Sequence, residues 1–461
     1  MRLILPLLLA LFLAACGERK ETSLSLLLSC DTEGRLEPCG CFDGQLGGIA
    51  RISTLAAGMK PAEIPLRLDA GNFHPGTTDY EKLLLPFVLK AYQHAGFDAL
   101  NAGCREARLG ADELRQIASQ FPQMISANLL GPDGKPVLAP FLVTSKNGTS
   151  ILIAGIVDPA LASPLLGPGL SAAEPSAALQ QVLASAPKAQ LRVLLAFADT
   201  PMQQQLAARF PEFDLVLGGA VAQPSQKLLH AGRATLMSTT NKGKNAALLQ
   251  GRLGPDGFTP DNFDIPLLPP SVPQDPAILA LSSEYRKLAA RTVFTCDAAE
   301  ADSASSIPGA SRAAGFTGSQ ACLACHQSAH AVHSASAHAH AFESLKKNGS
   351  DTDPRCLTCH TVGFGQSGGY RRSMAGGPLA GVGCESCHGP GSEHVRQRSS
   401  GRTRLFAFRR LGDGDCRTCH QGEFSRPFSF DQSWPKIHHG KEAKAEPVPQ
   451  SPPASPAETT K

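Results

Sequence analysis

Four times between residues 322 and 420 the chain reads Cys-x-x-Cys-His: Cys322/Cys325/His326, Cys356/Cys359/His360, Cys384/Cys387/His388 and Cys416/Cys419/His420. Two thiols one helical turn apart can add across the two vinyl groups of a haem. The residue that follows then presents its imidazole to the iron from the same side. One such motif alone also suits a zinc pair or a redox dithiol. Four in so short a stretch point to four covalently bound c-type haems, with the eight cysteines as attachment points and the four histidines as proximal iron ligands. A segment of this size cannot enclose four porphyrins in an ordinary apolar core, so the haems are expected to be the core, wrapped by short helical patches. Closely packed haems let electrons hop, and electron transfer is the expected activity.

Each iron also has a sixth position. The other histidines of the segment are His330, His333, His338, His340, His394, His438 and His439. Imidazole is a common distal ligand, and an iron without one is open to a small molecule. Six arginines between Arg396 and Arg410 read as a solvated loop or as a surface for haem propionates or an acidic partner.

The stretches FTGSQACLACH, SASAHAHAFESL, CLTCHTVGFG, GVGCESCHGPGSEHV, CRTCH and WPKIHHG, from about Phe316 to Gly440, carry a close resemblance. The segment resembles the tetrahaem cytochromes that accept electrons from hydroxylamine oxidoreductase in nitrifying bacteria. The resemblance implies distal roles for His338, His394 and His439, with His340 and His438 as neighbouring alternatives. It also implies one open iron, taken here as the one at His360, and redox proteins as partners.

A second candidate site lies in the loop CDTEGRLEPCGC, residues 30–41, which follows an apolar run. Ligands in open α/β sheets sit at such strand ends. Strand patterns run through residues 24–30, 64–69, 99–102, 124–128, 150–158, 191–199, 214–218 and 234–238. Helical patterns at 46–59, 81–95, 111–120 and 177–186 lie between them. The alternation argues for an α/β domain.

From about Leu24 to Leu253 the chain resembles the metallophosphoesterase superfamily, in the branch of bacterial 5′-nucleotidases. The landmarks are CDTEGRLEP with GGIARI, LDAGNF, ALNAGCREARLGADEL, ISANL, ILIAGIVDP, VLLAFADT and DLVLGGA. The resemblance implies a β-sandwich flanked by helices, with two metals that activate a hydroxide against a phosphate ester. The ligand motifs depart from that pattern. Asp-x-His is Asp31-Thr32-Glu33, the bridging aspartate is Asn72, and Gly-Asn-His-Glu is Gly103-Cys104-Arg105-Glu106. Ser-His is Ala196-Phe197, and Gly-Gly-His is Gly218-Gly219-Ala220. Hydrolysis by this domain is therefore not expected. Cys30, Cys39, Cys41 and Cys104 map toward the same pocket, as disulfides or as a thiolate site for an additional metal. Cys296 makes the count odd.

Met1–Ala15 reads as an export signal, and Leu13-Ala14-Ala15-Cys16 resembles the bacterial lipobox, with Cys16 as the acylated residue. The expected place is the periplasmic face or the outer membrane, with the membrane reached through the lipid. A formal net charge of +3 is small for 461 residues and calls for no nucleic acid. The expected organisation is a signal and lipidation site at 1–16 and an α/β metallophosphoesterase-like domain at 24–270. A helix and linker follow at 271–315, then a mainly α, haem-packed tetrahaem cytochrome domain at 316–440 and a tail at 441–461. The functional reading is a lipid-anchored electron carrier. The alternatives are an oxidoreductase acting on a small nitrogen compound at an open haem, and a 5′-nucleotidase-like hydrolase fused to a cytochrome.

Overall fold

The leucines of residues 24–28 are buried on alternate and adjacent positions alike, as in a strand covered on both faces. A computed structural model of the chain describes residues 21–38, 45–294, 315–347, 349–374, 376–401, 411–421 and 427–439. Cys16, Cys39, Cys41, Cys296 and residues 402–410 lie outside them. The chain divides into two compact units, and the division falls between Tyr285 and Arg286.

The first unit opens with β1 (Thr22–Ser29), α1 (Ile49–Ala57), β2 (Ile64–Asp69), α2 (Asp79–His94), β3 (Ala99–Asn101), α3 (Cys104–Ala107), α4 (Ala111–Gln120) and β4 (Met124–Ile125). It continues with β5 (Leu129–Leu130), β6 (Phe141–Lys146), β7 (Thr149–Val157), α5 (Pro159–Ala162), β8 (Ser171–Ala172), α6 (Pro175–Ser185), β9 (Leu191–Phe197) and α7 (Thr200–Arg209). Then come β10 (Leu215–Gly219), β11 (Leu229–Ala231), β12 (Ala234–Ser238), β13 (Ala247–Gly254), β14 (Gly257–Asp264) and α8 (Pro276–Arg291), within which the division falls.

Two six-stranded sheets result, in the orders β14-β13-β1-β2-β3-β4 and β11-β12-β10-β9-β7-β6. Their centres are parallel, as crossover helices require. Antiparallel strands close the edges at β13/β14, β6 and β11. Helices α6 and α7 cover one face of the second sheet: Leu179, Val182, Leu206 and Ala207 pack on Ala154, Ile156, Leu194, Ala196, Val216 and Leu236. The strands and helices read from the sequence are all present. Strands β5, β6, β8 and β11, the hairpin β13/β14, and helices α3, α5 and α7 were not read.

Asn101 ties the two sheets together, its amide donating to Ala70 O and to Ile156 O at 2.9 Å each. The backbones approach closely there. A methyl group on Gly155 collides with Asn101 Oδ1 and lies 2.9 Å from Ile125 Cγ1.

The second unit has little apolar core. Its helices are α9 (Gln320–Leu323), α10 (Gln327–Ser334), α11 (Ala341–Lys347), α12 (Pro354–His360), α13 (Cys384–His388), α14 (Ser392–Ser399), α15 (Asp413–Cys416) and α16 (Phe430–Ser433). Its buried cluster consists of Phe342, Leu345, Leu357, Val362, Phe364, Tyr370 and Leu379. The last turn of α8 is held here: Arg372 donates to Ala289 O and Thr292 O at 2.5 Å each and lies over the Phe294 ring.

Gly155→Ala is expected to destabilise the first unit by about 1–3 kcal/mol through overpacking between the sheets. Urea unfolding followed by far-UV circular dichroism would measure it, and an unchanged midpoint would refute the close approach.

Candidate functional site

Each Cys-x-x-Cys-His motif sits on a single helical turn. The second lies in α12 and the third in α13. In the first and fourth the histidine N–H donates to the first cysteine's carbonyl, His326 to Cys322 O at 2.9 Å and His420 to Cys416 O at 2.8 Å. Asp353 caps α12, accepting from Arg355 N at 3.0 Å. The thiols of Cys322 and Cys384 are hydrogen-bonding neighbours, and so are those of Cys359 and Cys419. The first and third motifs are thus brought together, and likewise the second and fourth.

The eight motif cysteines differ in how far the polypeptide itself covers them. Cys322, Cys356, Cys359, Cys384, Cys416 and Cys419 are half-buried, whereas Cys325 and Cys387 are exposed. Cys325 is also outside the two thiol contacts that join the motifs. The reason is the length of its helix. α9 ends at Leu323 and buries none of its own residues, so Cys325 sits in the turn beyond it. That turn is closed by Cys325 N donating to Cys322 O at 3.3 Å. The turn places Cys325 one helical step from Cys322, as attachment needs, without polypeptide packed around its side chain. Cys387 lies in the five-residue α13, on the opposite side from the buried Glu385.

Three motif histidines face a histidine from outside the motifs. Ring centres are 6.2 Å apart for His326 and His394, 5.9 Å for His338 and His420, and 5.9 Å for His388 and His439. A metal held between two opposed imidazole nitrogens at about 2.0–2.1 Å each, with roughly 1.2 Å from nitrogen to ring centre, sets the centres about 6.5 Å apart, slightly more than the separations found here. The residues therefore fit a six-coordinate haem iron at three motifs. Among the described residues no histidine ring faces His360 in this way.

The alternatives in the HAH and HH pairs separate clearly. His338 faces His420, and His439 faces His388, while His438 packs against Trp434 with ring centres 5.3 Å apart. His360 Nδ1 donates to Ala341 O and His439 Nδ1 to Ile437 O, both at 2.8 Å. Such bonds fix the ring and turn the other nitrogen toward a metal. His333 is used differently, its Nε2 donating to Val382 O at 2.8 Å. Burial first, then neighbouring imidazoles, lowers the proton affinity of His338 and His388. The same holds for His394 beside His326 and for His420 beside His360. All four are held toward the neutral form that binds metal.

The sequence reading missed Glu385, which lies inside the third motif and is 4% exposed. The signal was its type: the x-x pairs of the other motifs are Leu-Ala, Leu-Thr and Arg-Thr.

In the first unit the loops after β1, β2, β3 and β12 converge at the carboxyl ends of their strands. Asp31 accepts from Asn72 Nδ2 at 2.9 Å and from Thr240 Oγ1 at 2.8 Å. Arg35 bonds Glu33 at 3.2 Å, while Arg105 and Lys242 each stand 3.9 Å from it. Arg105 also donates to His74 O and Pro75 O. The Phe197 ring packs against the backbone of Gly71 and Gly103. Glu106, fully buried, accepts from the N–H groups of Asn72, His74 and Gly103 at 2.7–3.0 Å. Protein cations and an aromatic ring thus fill the ground between the loops. Among the described residues no group of three or more His, Cys, Asp or Glu side chains is arranged to hold a metal ion. The residues present do not fit a di-metal centre. Cys30 and Cys104 are buried, unbridged thiols. Burial and nearby carboxylates push Cys30 well up and Cys104 to about 12, so both stay protonated.

Behind the pocket, Asp69 accepts from Ser29 Oγ at 2.5 Å, Tyr92 OH at 2.8 Å and Gly71 N at 2.8 Å. Burial raises it to about 8. The stability that it contributes is full below its unfolded value of 3.8 and is lost as pH rises through about 8. His74, lowered to about 3 by burial and then by Arg105, acts on the acid side instead. Asp69→Asn should therefore remove a decline in the first unit's stability that runs from its unfolded value of 3.8 up to about 8, read by urea unfolding across that range and not beyond it. A decline as steep as in the unmodified chain would refute the assignment.

Residues 321–389 match the family described as cytochrome c554 and c-prime. The cytochrome c-554 of Nitrosomonas europaea is 42% identical over 91 residues, covering 16% of this chain and 39% of that protein. The chain thus spans about two fifths of that relative's length. A 5′-nucleotidase precursor from Thermus thermophilus superposes with a TM-score of 0.50 at 21% identity, over 58% of this chain and 59% of that one. A calcineurin-like phosphoesterase from Bacillus subtilis gives 0.49 at 13% identity, over 58% of this chain and 98% of that one. The first unit has the α/β fold of that 5′-nucleotidase precursor, and residues 321–389 of the second match the cytochrome c554 and c-prime family.

Proposed function

We propose that the chain is an exported, lipid-anchored tetrahaem c-type cytochrome that passes electrons between redox proteins. The observation that carries this reading is the set of three facing imidazole pairs, His326/His394, His338/His420 and His388/His439. A solvated histidine has no reason to face a motif histidine at the spacing of a shared metal, and three do. Bound haem supplies reversible one-electron oxidation and reduction at iron. The chain's own residues do the rest. Eight cysteines fix the four attachment points, with Cys325 and Cys387 on the open side of their turns. The paired imidazoles would hold the irons at three of the four sites, and the hydrogen bonds at His360 and His439 orient their rings. The contacts Cys322–Cys384 and Cys359–Cys419 support close neighbours along an electron path.

Attachment at Cys16 supports a membrane location on the periplasmic side, and among the described residues no helix is long and apolar enough to cross a membrane. The first unit acts in this reading as a scaffold without phosphoesterase chemistry, since Asn72, Arg105 and Phe197 stand where metal ligands are needed. A second reading, chemistry on a small molecule at the iron of His360, is favoured by the lack of a facing histidine there among the described residues.

The test is the full chain, produced with the haem attachment machinery and assayed as the pyridine haemochrome. Four haems per chain are expected, three of them low-spin. Cys356→Ala/Cys359→Ala should lose one haem, together with any high-spin signal. Loss of a low-spin haem instead would overturn the assignment of His360, and a haem-free chain would overturn the function. His394→Ala should convert one further iron to high spin, read by electron paramagnetic resonance, and an unchanged low-spin count would reject that pair.

A further inference from the structure

Glu385 lies between the two cysteines of the third motif and is almost wholly buried. Its carboxylate accepts from Thr317 N at 3.0 Å on both oxygens, from Gly318 N at 2.7 Å and from Gly391 N at 2.7 Å. Three N–H donors converge on it, the arrangement that suits an anion.

Those donors have a direction in the fold. Thr317 and Gly318 precede α9, which carries Cys322. Gly391 precedes α14, which carries His394. The same two segments are also joined directly, Ser392 Oγ accepting from Gly315 N at 2.7 Å and Ser392 N donating to Gly315 O at 3.1 Å, while Ser319 Oγ accepts from Cys384 N of the third motif at 3.0 Å. Glu385 therefore binds the chain entering the first motif to the chain that brings up the imidazole facing His326. It does so from within the third motif, whose Cys384 thiol touches that of Cys322.

We propose that Glu385 is a positioning residue with a redox role: it sets the His326/His394 pair and holds a buried negative charge beside the first and third attachment sites. This rests on the haem reading above. A fixed anion in a low-dielectric site favours the more positive oxidation state of a nearby group. Glu385 then favours the ferric iron at these two sites and lowers their reduction potentials relative to the other two. A surface carboxylate is screened by solvent, whereas this one is not. The backbone bonds keep it in place, and among the described residues no cation is paired with it.

The experiment is a spectroelectrochemical titration of the full holoprotein, with haem content measured first. If the unmodified chain binds no haem, the function fails and not this inference alone. Given a haem-loaded chain, Glu385→Gln removes the charge and keeps the shape. Glu385→Asp keeps the charge. The expected result is a positive shift of one or two of the midpoint potentials in E385Q, with those in E385D near the unmodified values. Superimposable titrations of E385Q and the unmodified chain overturn the proposal, as do equal shifts in both variants. If E385Q yields no holoprotein, E385D decides: holoprotein with unmodified potentials supports the charge, and its loss too assigns Glu385 to the framework alone.

Discussion

The second unit depends on one requirement, that two imidazoles from distant parts of the chain face each other about a metal's width apart. Each of the three pairs joins a motif to a segment remote in sequence. Among the described residues the unit's buried cluster has seven members, so apolar packing there gives few long-range constraints. The histidine pairs and the Glu385 clamp supply them. The elements around them are correspondingly short, since a four-residue helix such as α9 or α15 cannot stand alone and needs only to present two thiols and a ring.

The first unit works by the opposite economy. Two sheets and their helices bury a large core, and the polar residues gather at one strand edge. There the backbone keeps unusual conformations: Asp31, Glu33, Asn72, Ala220, Asn241 and Lys242 all have positive φ. Such conformations persist when the surroundings enforce them. What changed in this version of the fold is the side-chain chemistry. An amide replaces a bridging carboxylate at Asn72, a guanidinium stands at Arg105, and Phe197 fills space that a ligand would need. Arg35, Arg105 and Lys242 balance the charge of Glu33.

How much of this could be read beforehand follows from the range of each interaction. The parallel strands were legible because burial on both faces leaves continuous apolar runs such as residues 24–28. The edge hairpin β13/β14 was not: β13 alternates in burial but its sequence ALLQGRLG does not alternate in polarity, and β14 alternates weakly and includes Pro260 and Asn262. Helix α7 has a mixed face and was missed for the same reason. The attachment motifs are local patterns and stood out at once, but motif spacing carries no information on enclosure, so the exposure of Cys325 could not be read from it. The choice between His338 and His340, or His438 and His439, depends on which ring a turn points inward, and only the fold separates them. Glu385 and Asp69 escaped notice because their partners are mostly backbone N–H groups and hydroxyls, which leave no trace in residue type.

The order of the histidine pairs along the chain bears on how the protein is made. His326 emerges early, but His394 follows only after the third motif. His338 must wait for His420, and His388 for His439, the last described residue. None of the three pairs is complete before residue 394 has been delivered, and the last closes near the end of the chain. On the haem reading proposed above, the chain would pass through a stage in which the attachment cysteines are in place while the facing histidines are not. Truncation near residue 439 would leave such a form behind, with the attachment sites intact and one iron accessible to ligands that the finished molecule excludes.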